Sequence, residues 1–260
     1  MTPDDARSAL DGSRFAELLW AESTGSTNAD LAARARSGGS ECALVADVQT
    51  AGRGRLDRRW ESPPGATLMM SVLVRGPFAL GGPHVVPTAL SLAVRGAIAD
   101  LAGLVVGLKW PNDLVVRGAE RDLKLGGVLA ELVAPDALVV GIGVNLAWGG
   151  RLPDDLAATA TSMDILGHHV DRWALVAGSL LALERRLGTL AAVGGGSGAL
   201  VEEHREACVT IGQRVRVELP HSELVGFAVD LTTEGALVVE DDSAVRHEVT
   251  VGDVVHLRPI

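Results

Sequence analysis

The sequence predicts an α+β protein in which a β-sheet is covered by helices and followed by a small all-β module. Three observations carry this prediction. The short runs CALVADVQ at 42–49, TLMMSVLVR at 67–75 and ALVVGIGVNLAW at 137–148 are apolar, rich in β-branched residues and flanked by turn formers, as buried strands are. Two longer segments, 85–103 and 171–207, carry apolar residues at helical spacing. From about 209 onward, RVRVEL, LVGFAVDL, ALVVED, HEVTV and VVHLRP alternate apolar and polar residues, with turns at Pro220, at Glu234 with Gly235, and at Gly252. That is the pattern of a five-stranded barrel. The expected division is a domain over 1–208 that holds the chemistry and a second over 209–260.

Composition narrows the classes of function. With 260 residues, 47% of them hydrophobic, the chain supports one large core and a small appended domain. A formal net charge of -10 argues against general nucleic-acid binding, which needs a basic surface. An anionic ligand would have to be held locally. Cys42 and Cys208 have neither metal-ligand spacing nor a disulfide framework, which fits a reducing compartment. MTPDDARSAL lacks a basic region followed by an apolar run, and no stretch reads as a membrane span. The expectation is a soluble, cytoplasmic protein with no membrane partner.

In chain order, residues 1–15 are charged, with little apolar periodicity, and read as a short helix or a loosely held arm. LLWAES at 18–23 is a strand leading into TGSTNADLAARARSGG, where Ser26, Thr27 or Asn28 caps a helix carrying Leu31, Ala32 and Ala35 that stops at Gly38 and Gly39. A cap uses one of the three residues and leaves the others free to bind. The strand at 42–49 delivers Gln49 and then GRGRLDRRW at 52–60, in which Gly52 and Gly54 interleave with Arg53, Arg55, Arg58 and Arg59. A solvated basic loop and an anion-gripping loop both fit this stretch. The acidity of the rest of the chain favours the second, since guanidinium forks bind phosphate or carboxylate through paired hydrogen bonds.

After the Pro63, Pro64, Gly65 turn and the strand at 67–75, the segment 85–103 reads as a core helix. In 104–117, KWPND separates two β-branched runs, because Pro111 suits a turn better than a paired strand. The turn displays Lys109, Trp110, Asn112 and Asp113, residue types that also occur in turns for conformational reasons alone. GAERD at 118–122 is a hairpin tip between that strand and LKLGGVLAELV at 123–133. Glycines within strands mark close approach of a ligand or backbone, so Gly126, Gly127, Gly141 and Gly143 are expected to floor a pocket. Lys124 and Asn145 are placed to reach into it, although a strand-edge lysine also serves to blunt aggregation. The segment 171–207 reads as two surface helices flanking a VGGGSG link and covering the sheet, and His168 and His169 as solvent-facing.

Several motifs are missing. No third glycine follows Gly52 and Gly54 at dinucleotide-binding spacing, and the chain has no P-loop, nucleophile elbow or His-Glu-x-x-His helix. What the sequence offers is an anion site with arginines on one loop and a lysine on another strand.

Taken together, STN at 26–28, QTAGRGR at 49–55 with Arg58 and Trp60, KWPND at 109–113, KLGGVLAE at 124–131 and GIGVN at 141–145 resemble the biotin protein ligases. The resemblance implies a mixed β-sheet with helices on one side, similar to the catalytic domains of class II aminoacyl-tRNA synthetases, plus an SH3-like C-terminal domain. It implies attack of the biotin carboxylate on the α-phosphate of MgATP, giving biotinyl-5′-AMP, and then transfer of biotin to a lysine of a biotin carboxyl carrier protein. By their match to the family motifs, Lys124 would bridge carboxylate and α-phosphate, and Arg55 and Arg58 would hold phosphates and retain the adenylate. Ser26, Thr27, Asn28 and Gln49 would read the ureido ring, and Gly52 and Arg53 would offer backbone amides to the biotin end. Trp110 would wall the apolar tail. Gly127 and Gly141 would lie under biotin and Gly143 under the nucleotide. Trp60, Asn112 and Asn145 would meet adenine, while Lys109 and Asp113 would serve the phosphates and Mg²⁺.

Two departures stand out. Asp57 replaces a glycine usual in the family's GRGRxGR pattern, setting a negative charge beside the phosphates. Only about 20 residues precede the matching core, too few for the winged helix of repressor-type relatives, so no operator binding is expected. A lipoate or octanoate ligase of the same fold and a non-catalytic biotin- or nucleotide-binding module are the competing readings.

Overall fold

A computed structural model of the chain describes all residues except 57, 77–81, 83, 119–120, 151, 193–196, 220–221, 251 and 258–260. Asp57, the hairpin tip at 119–120, most of the glycine-rich link and the Pro220 turn therefore lie outside the described residues.

The elements run α1 (Pro3–Ala9), β1 (Leu18–Thr24), α2 (Thr27–Arg36), β2 (Cys42–Gln49), β3 (Thr67–Arg75), α3 (Val85–Ala102), β4 (Gly107–Lys109), β5 (Asp113–Arg117), β6 (Asp122–Ala134) and β7 (Ala137–Asn145). They continue with α4 (Asp154–Ala157), α5 (Arg172–Ala192), α6 (Gly198–Ala207), β8 (Arg214–Glu218), β9 (Glu223–Leu231), β10 (Leu237–Asp241), β11 (Arg246–Val249) and β12 (Asp253–His256). The first seven strands form one sheet in the order β1-β2-β3-β7-β6-β5-β4. Only β1 and β2 pair in parallel, joined through α2, so the sheet is mixed.

Strand periodicity divides the sheet into two faces. Leu68, Met70, Val72 and Val74 of β3, with Leu138, Val140, Ile142 and Val144 of β7, pack against α3 and the helices beyond it. The intervening Leu73 and Val139 turn to the other face, where α2 covers them with Leu31, Ala32 and Ala35. The one-sided helical layer holds for α1, α3, α5 and α6. On the other face lie α2, whose N-terminus helps to build the site described below, and the short α4, whose Asp155 and Leu156 line the same cavity.

Of the two readings of residues 1–15 the short helix holds, and it is docked: Ala6 and Leu10, one turn apart, and Phe15 are fully buried, and Thr2 and Asp5 close a capping box. Three other local expectations change. The surface reading of α5 gives way to a core helix, with Trp173, Leu175, Val176, Leu180 and Leu183 buried and the helix packed on α3. Contrary to the reading of no span-length stretch, α3 is long and apolar enough to cross a bilayer, yet it packs against α5, α6, β6 and β7 in this core. His169 is exposed as expected, while His168 is half-buried.

The second sheet, in the order β11-β10-β9-β8-β12, is antiparallel throughout. Its own core of Val215, Val217, Ala228, Leu237 and Val239 extends to Trp110 and Cys208 of the larger part. Cys42 and Cys208 are free and buried; burial pushes the Cys42 thiol up to about 11 and raises that of Cys208.

Candidate active site

A cavity of about 660 Å³ opens on the α2 face of the large sheet. Its floor is two cross-strand rows, Ser71–Gly141–Leu129 and Met69–Gly143–Gly127–Asp113, running over β3, β7, β6 and β5. Each glycine of the floor leaves room for a side chain from elsewhere. A Cβ on Gly141 would lie 2.2 Å from Asn28 Oδ1, one on Gly143 2.7 Å from the Trp60 ring, and one on Gly127 3.3 Å from both Asp113 Oδ1 and Lys124 Nζ. The four predicted floor glycines reduce to three. Gly126 points to the opposite face, where a Cβ would lie 2.5 Å from Gly143 O.

The Gly141 row carries a polar array. Ser26 takes the N-cap position of α2 without a side-chain cap bond. Thr27 N–H and hydroxyl both donate to Gln49 Oε1, at 2.8 and 3.0 Å. The Ser71 hydroxyl lies 2.7 Å from Thr27 Oγ1 and 2.6 Å from Asn28 Oδ1, and Asn28 Nδ2 donates to Glu131 Oε2 at 2.7 Å and to Leu129 O at 3.2 Å. Both amide protons of Asn28 are thus in use, which fixes its oxygen toward Ser71. The contacts Thr27–Gln49, Thr27–Ser71 and Ser71–Asn28 then share only two hydroxyl protons. One of these oxygen pairs always lacks a proton, so this end is short of donors and suited to a ligand that brings N–H groups.

The Gly143–Gly127 row carries the charge. Lys124 Nζ bonds Asp113 Oδ1 at 2.6 Å and stands 5.6 Å from the centre of the Trp60 ring. The arginine loop folds back as a short hairpin, with Gly54 N–H donating to Arg58 O at 2.7 Å and Trp60 N–H to Gly52 O at 3.0 Å. It aims Arg55 Nη1 at Asn112 Oδ1, 3.1 Å away, and Arg55 Nη2 at Gly252 O, 3.1 Å away, while Arg58 Nη2 meets Asp253 Oδ2 at 2.5 Å. Asn112, Asp113, Lys124, Arg55 and Arg58 therefore share one end of one cavity. Lys109 lies at the same end, and burial lowers its pKa against the pull of Asp113 and Asp122. The array can neutralise two anions at once while Trp60 offers an aromatic face.

Of the predicted residues, Ser26, Thr27, Asn28, Gln49, Arg53, Arg55, Arg58, Trp60, Lys109, Trp110, Asn112, Asp113, Lys124, Gly127, Gly141, Gly143 and Asn145 line the cavity. Gly52 does not line it; a Cβ there would strike Trp60 O at 2.3 Å, so this glycine lets the hairpin close. Trp110 touches the cavity but is 4% exposed, packs in the core of the second sheet and donates from Nε1 to Gly235 O at 3.1 Å. Asn112 and Asn145 already donate to Val128 O and Thr161 O, at 2.8 and 3.0 Å. Chemistry confined to the larger domain was also expected, yet Glu218, Asp253, Val254 and Val255 of the smaller sheet line the wall. Sequence reasoning missed Ser71, Glu131 and Asp253. Ser71 was detectable as a hydroxyl in the middle of an apolar strand, whereas nothing in the sequence ties Asp253 to an arginine 195 residues away.

Comparison with known proteins follows the same two-part division. The model of the biotin/lipoate A/B protein ligase family matches residues 20–145, and that of the biotin protein ligase C terminal domain matches residues 210–257. The fold is thus that of a ligase of the biotin/lipoate class. Over 98% of its length the chain is 38% identical to the biotin–[acetyl-CoA-carboxylase] ligase of Mycobacterium tuberculosis, covering 97% of that protein. It is 30% identical to the bifunctional ligase/repressor BirA of Escherichia coli, with 91% of this chain and 72% of that one aligned. The biotin protein ligase of Aquifex aeolicus, solved in complex with biotin and ATP, superposes with a TM-score of 0.79 at 28% identity, covering 94% of this chain and all of that one. The chain belongs to the biotin protein ligase family.

Proposed function

We infer that the protein is an ATP-dependent biotin–[biotin carboxyl-carrier protein] ligase. The observation that carries this reading is the junction of a donor-poor polar array with a cationic end in one cavity, two residues apart along the strands, or roughly 7 Å. A ureido ring supplies two N–H donors and one acceptor to Thr27, Asn28, Gln49 and Ser71. Its side chain then leads a carboxylate to Lys124. One carboxylate oxygen attacks the α-phosphate of ATP, the bond to the β-phosphate oxygen breaks, and pyrophosphate leaves. Two anions must meet for this, and Lys124 with Arg55 offsets their repulsion, with Arg58 and Lys109 toward the phosphates. Trp60 gives adenine a surface to stack on.

In the second half-reaction the amine of an acceptor lysine attacks the mixed anhydride, releasing AMP. No nucleophile from this chain is required. Mg²⁺ arrives with ATP: among the described residues no group of three or more His, Cys, Asp or Glu can hold a metal, while Asp113 is a carboxylate on the floor beside the phosphate end. One carboxylate plus substrate phosphates is the usual Mg²⁺ donor set. Residues 1–208 form the catalytic domain in this reading and 209–260 an SH3-like domain that walls the phosphate end.

The partners are biotin, MgATP and the carrier domain of a biotin-dependent carboxylase, met in the cytoplasm. The net charge of -10 supports the absence of a nucleic-acid partner. A gel shift with operator DNA that gave specific, salt-sensitive binding would overturn that part. Biotin-dependent exchange of pyrophosphate into ATP tests the reaction. Exchange with biotin and not lipoate is expected; exchange with lipoate alone assigns the related ligase, and exchange with neither assigns a binding module.

A further inference from the structure

Glu131 stands behind the cavity, is not part of its lining, and has no role in the chemistry above. It lies on the site face of β6, two residues beyond Leu129 and four beyond Gly127. Granting the biotin reading, we propose that Glu131 is a positioning residue: it sets the direction of the Asn28 amide and thereby the demand for an N–H donor on the bound heterocycle. An asparagine side chain fits the same volume with its oxygen and nitrogen exchanged, so only its partners decide which atom faces the ligand. Here Nδ2 meets two groups that only accept, the Glu131 carboxylate at 2.7 Å and Leu129 O at 3.2 Å. Exchange would turn Oδ1 onto both of them.

The carboxylate is the shorter and charged contact of the two, so it dominates the choice. Arg53 Nη2 grips the same carboxylate oxygen at 2.9 Å and keeps it from swinging away. Asn28 is 4% exposed and Ser71 fully buried, so the amide and its Ser71 contact are shielded from bulk water, while the Glu131 side chain is 29% exposed. With Oδ1 held toward Ser71 and the ligand, a ring N–H is bound and a ring oxygen at the same place is rejected, because two acceptors would face each other.

The test is biotin-dependent ATP–pyrophosphate exchange by wild type, Glu131→Ala and Glu131→Gln. The substrates are biotin and the two analogues in which one or other ureido N–H is replaced by ring oxygen. Wild type is expected to prefer biotin over at least one analogue by roughly tenfold or more. Glu131→Ala should raise KM for biotin by roughly tenfold, reduce that preference by a similar factor, and leave KM for ATP within about twofold. Glu131→Gln, whose amide oxygen still accepts from Nδ2, should keep the preference. If Glu131→Ala does not fold, Glu131→Asp, one methylene too short to reach Nδ2, takes its place. An unchanged preference in the disrupting variant, or its equal loss in Glu131→Gln, overturns the proposal. Failure of wild type to exchange with biotin overturns the functional reading instead.

Discussion

Replacing Gly141 with alanine puts a methyl carbon 2.2 Å from Asn28 Oδ1, 3.0 Å from Asn28 Cγ and 3.2 Å from Ser71 Oγ. Relief of the overlap requires the amide to move by about 1 Å, since carbon and oxygen pack no closer than their van der Waals contact. Asn28 cannot give that distance, because Nδ2 is bound to Glu131 and Leu129 and Oδ1 to Ser71. Breaking the array leaves Ser71, fully buried, without one of its partners. Overpacking and an unmet buried polar group cost about 1–3 kcal/mol each, so Gly141→Ala is expected to lose about 2–6 kcal/mol of stability. The displaced Asn28 also ceases to meet the ligand, which lowers kcat/KM for biotin by roughly 10- to 100-fold. Urea unfolding and pyrophosphate-exchange kinetics measure the two effects. A variant within about 0.5 kcal/mol of wild type that retains its biotin kcat/KM would refute the placement of Asn28 over Gly141.

Four further outcomes follow from the packing and the charges. Trp110→Ala removes a ring that joins the two cores; thermal unfolding should show a loss of about 3–5 kcal/mol, with KM for biotin changed far less. Burial, aided by nearby His84, holds the His204 pKa down to about 4, so the neutral ring is the folded form. The unfolded chain binds that proton near pH 6.5; stability is full above this value and falls by about 3 kcal/mol as pH drops toward 4, a loss that His204→Asn should reduce in urea titrations at pH 7 and pH 5. The two buried thiols, both with raised pKa, should resist iodoacetamide at neutral pH in the native protein and react after denaturation. Gly188 lies exposed in α5 with open space where a Cβ would go, so Gly188→Ala should raise stability by about 0.5–1 kcal/mol in the same unfolding assay.

Much of the fold is legible where local chemistry and tertiary demand agree. β2 and β3 begin and end where their apolar runs do, because Gly and Pro punctuate both sides, and the five alternating runs at the C-terminus become β8 to β12. The docking of α1 was hidden because Ala6, Leu10 and Phe15 are outnumbered by Asp4, Asp5, Arg7 and Asp11, and composition hides a narrow apolar stripe. In the site, the cationic loop and the strand glycines signalled themselves through chemistry unusual for their setting. Which strand glycine serves the floor depends on the pleat, and Gly126 and Gly127 look alike until register assigns them to opposite faces. Trp110 lines the cavity and also joins the second core, since an aromatic beside a binding turn packs equally well on a ligand or on a neighbouring core. Glu131 and Asp253 gain meaning only from partners 103 and 195 residues distant.

Lys124→Ala tests most directly whether fixed positive charge at the floor of the cavity enables a carboxylate to attack a phosphate, with biotinyl-adenylate formation followed by rapid quench at saturating biotin and MgATP. Because the substitution also strands Asp113, the double variant with Asp113→Asn serves as control. Both proteins should form adenylate slower than wild type by roughly 10²–10³-fold, the usual effect of deleting one group that stabilises developing charge. A rate within about threefold of wild type in either would contradict the account.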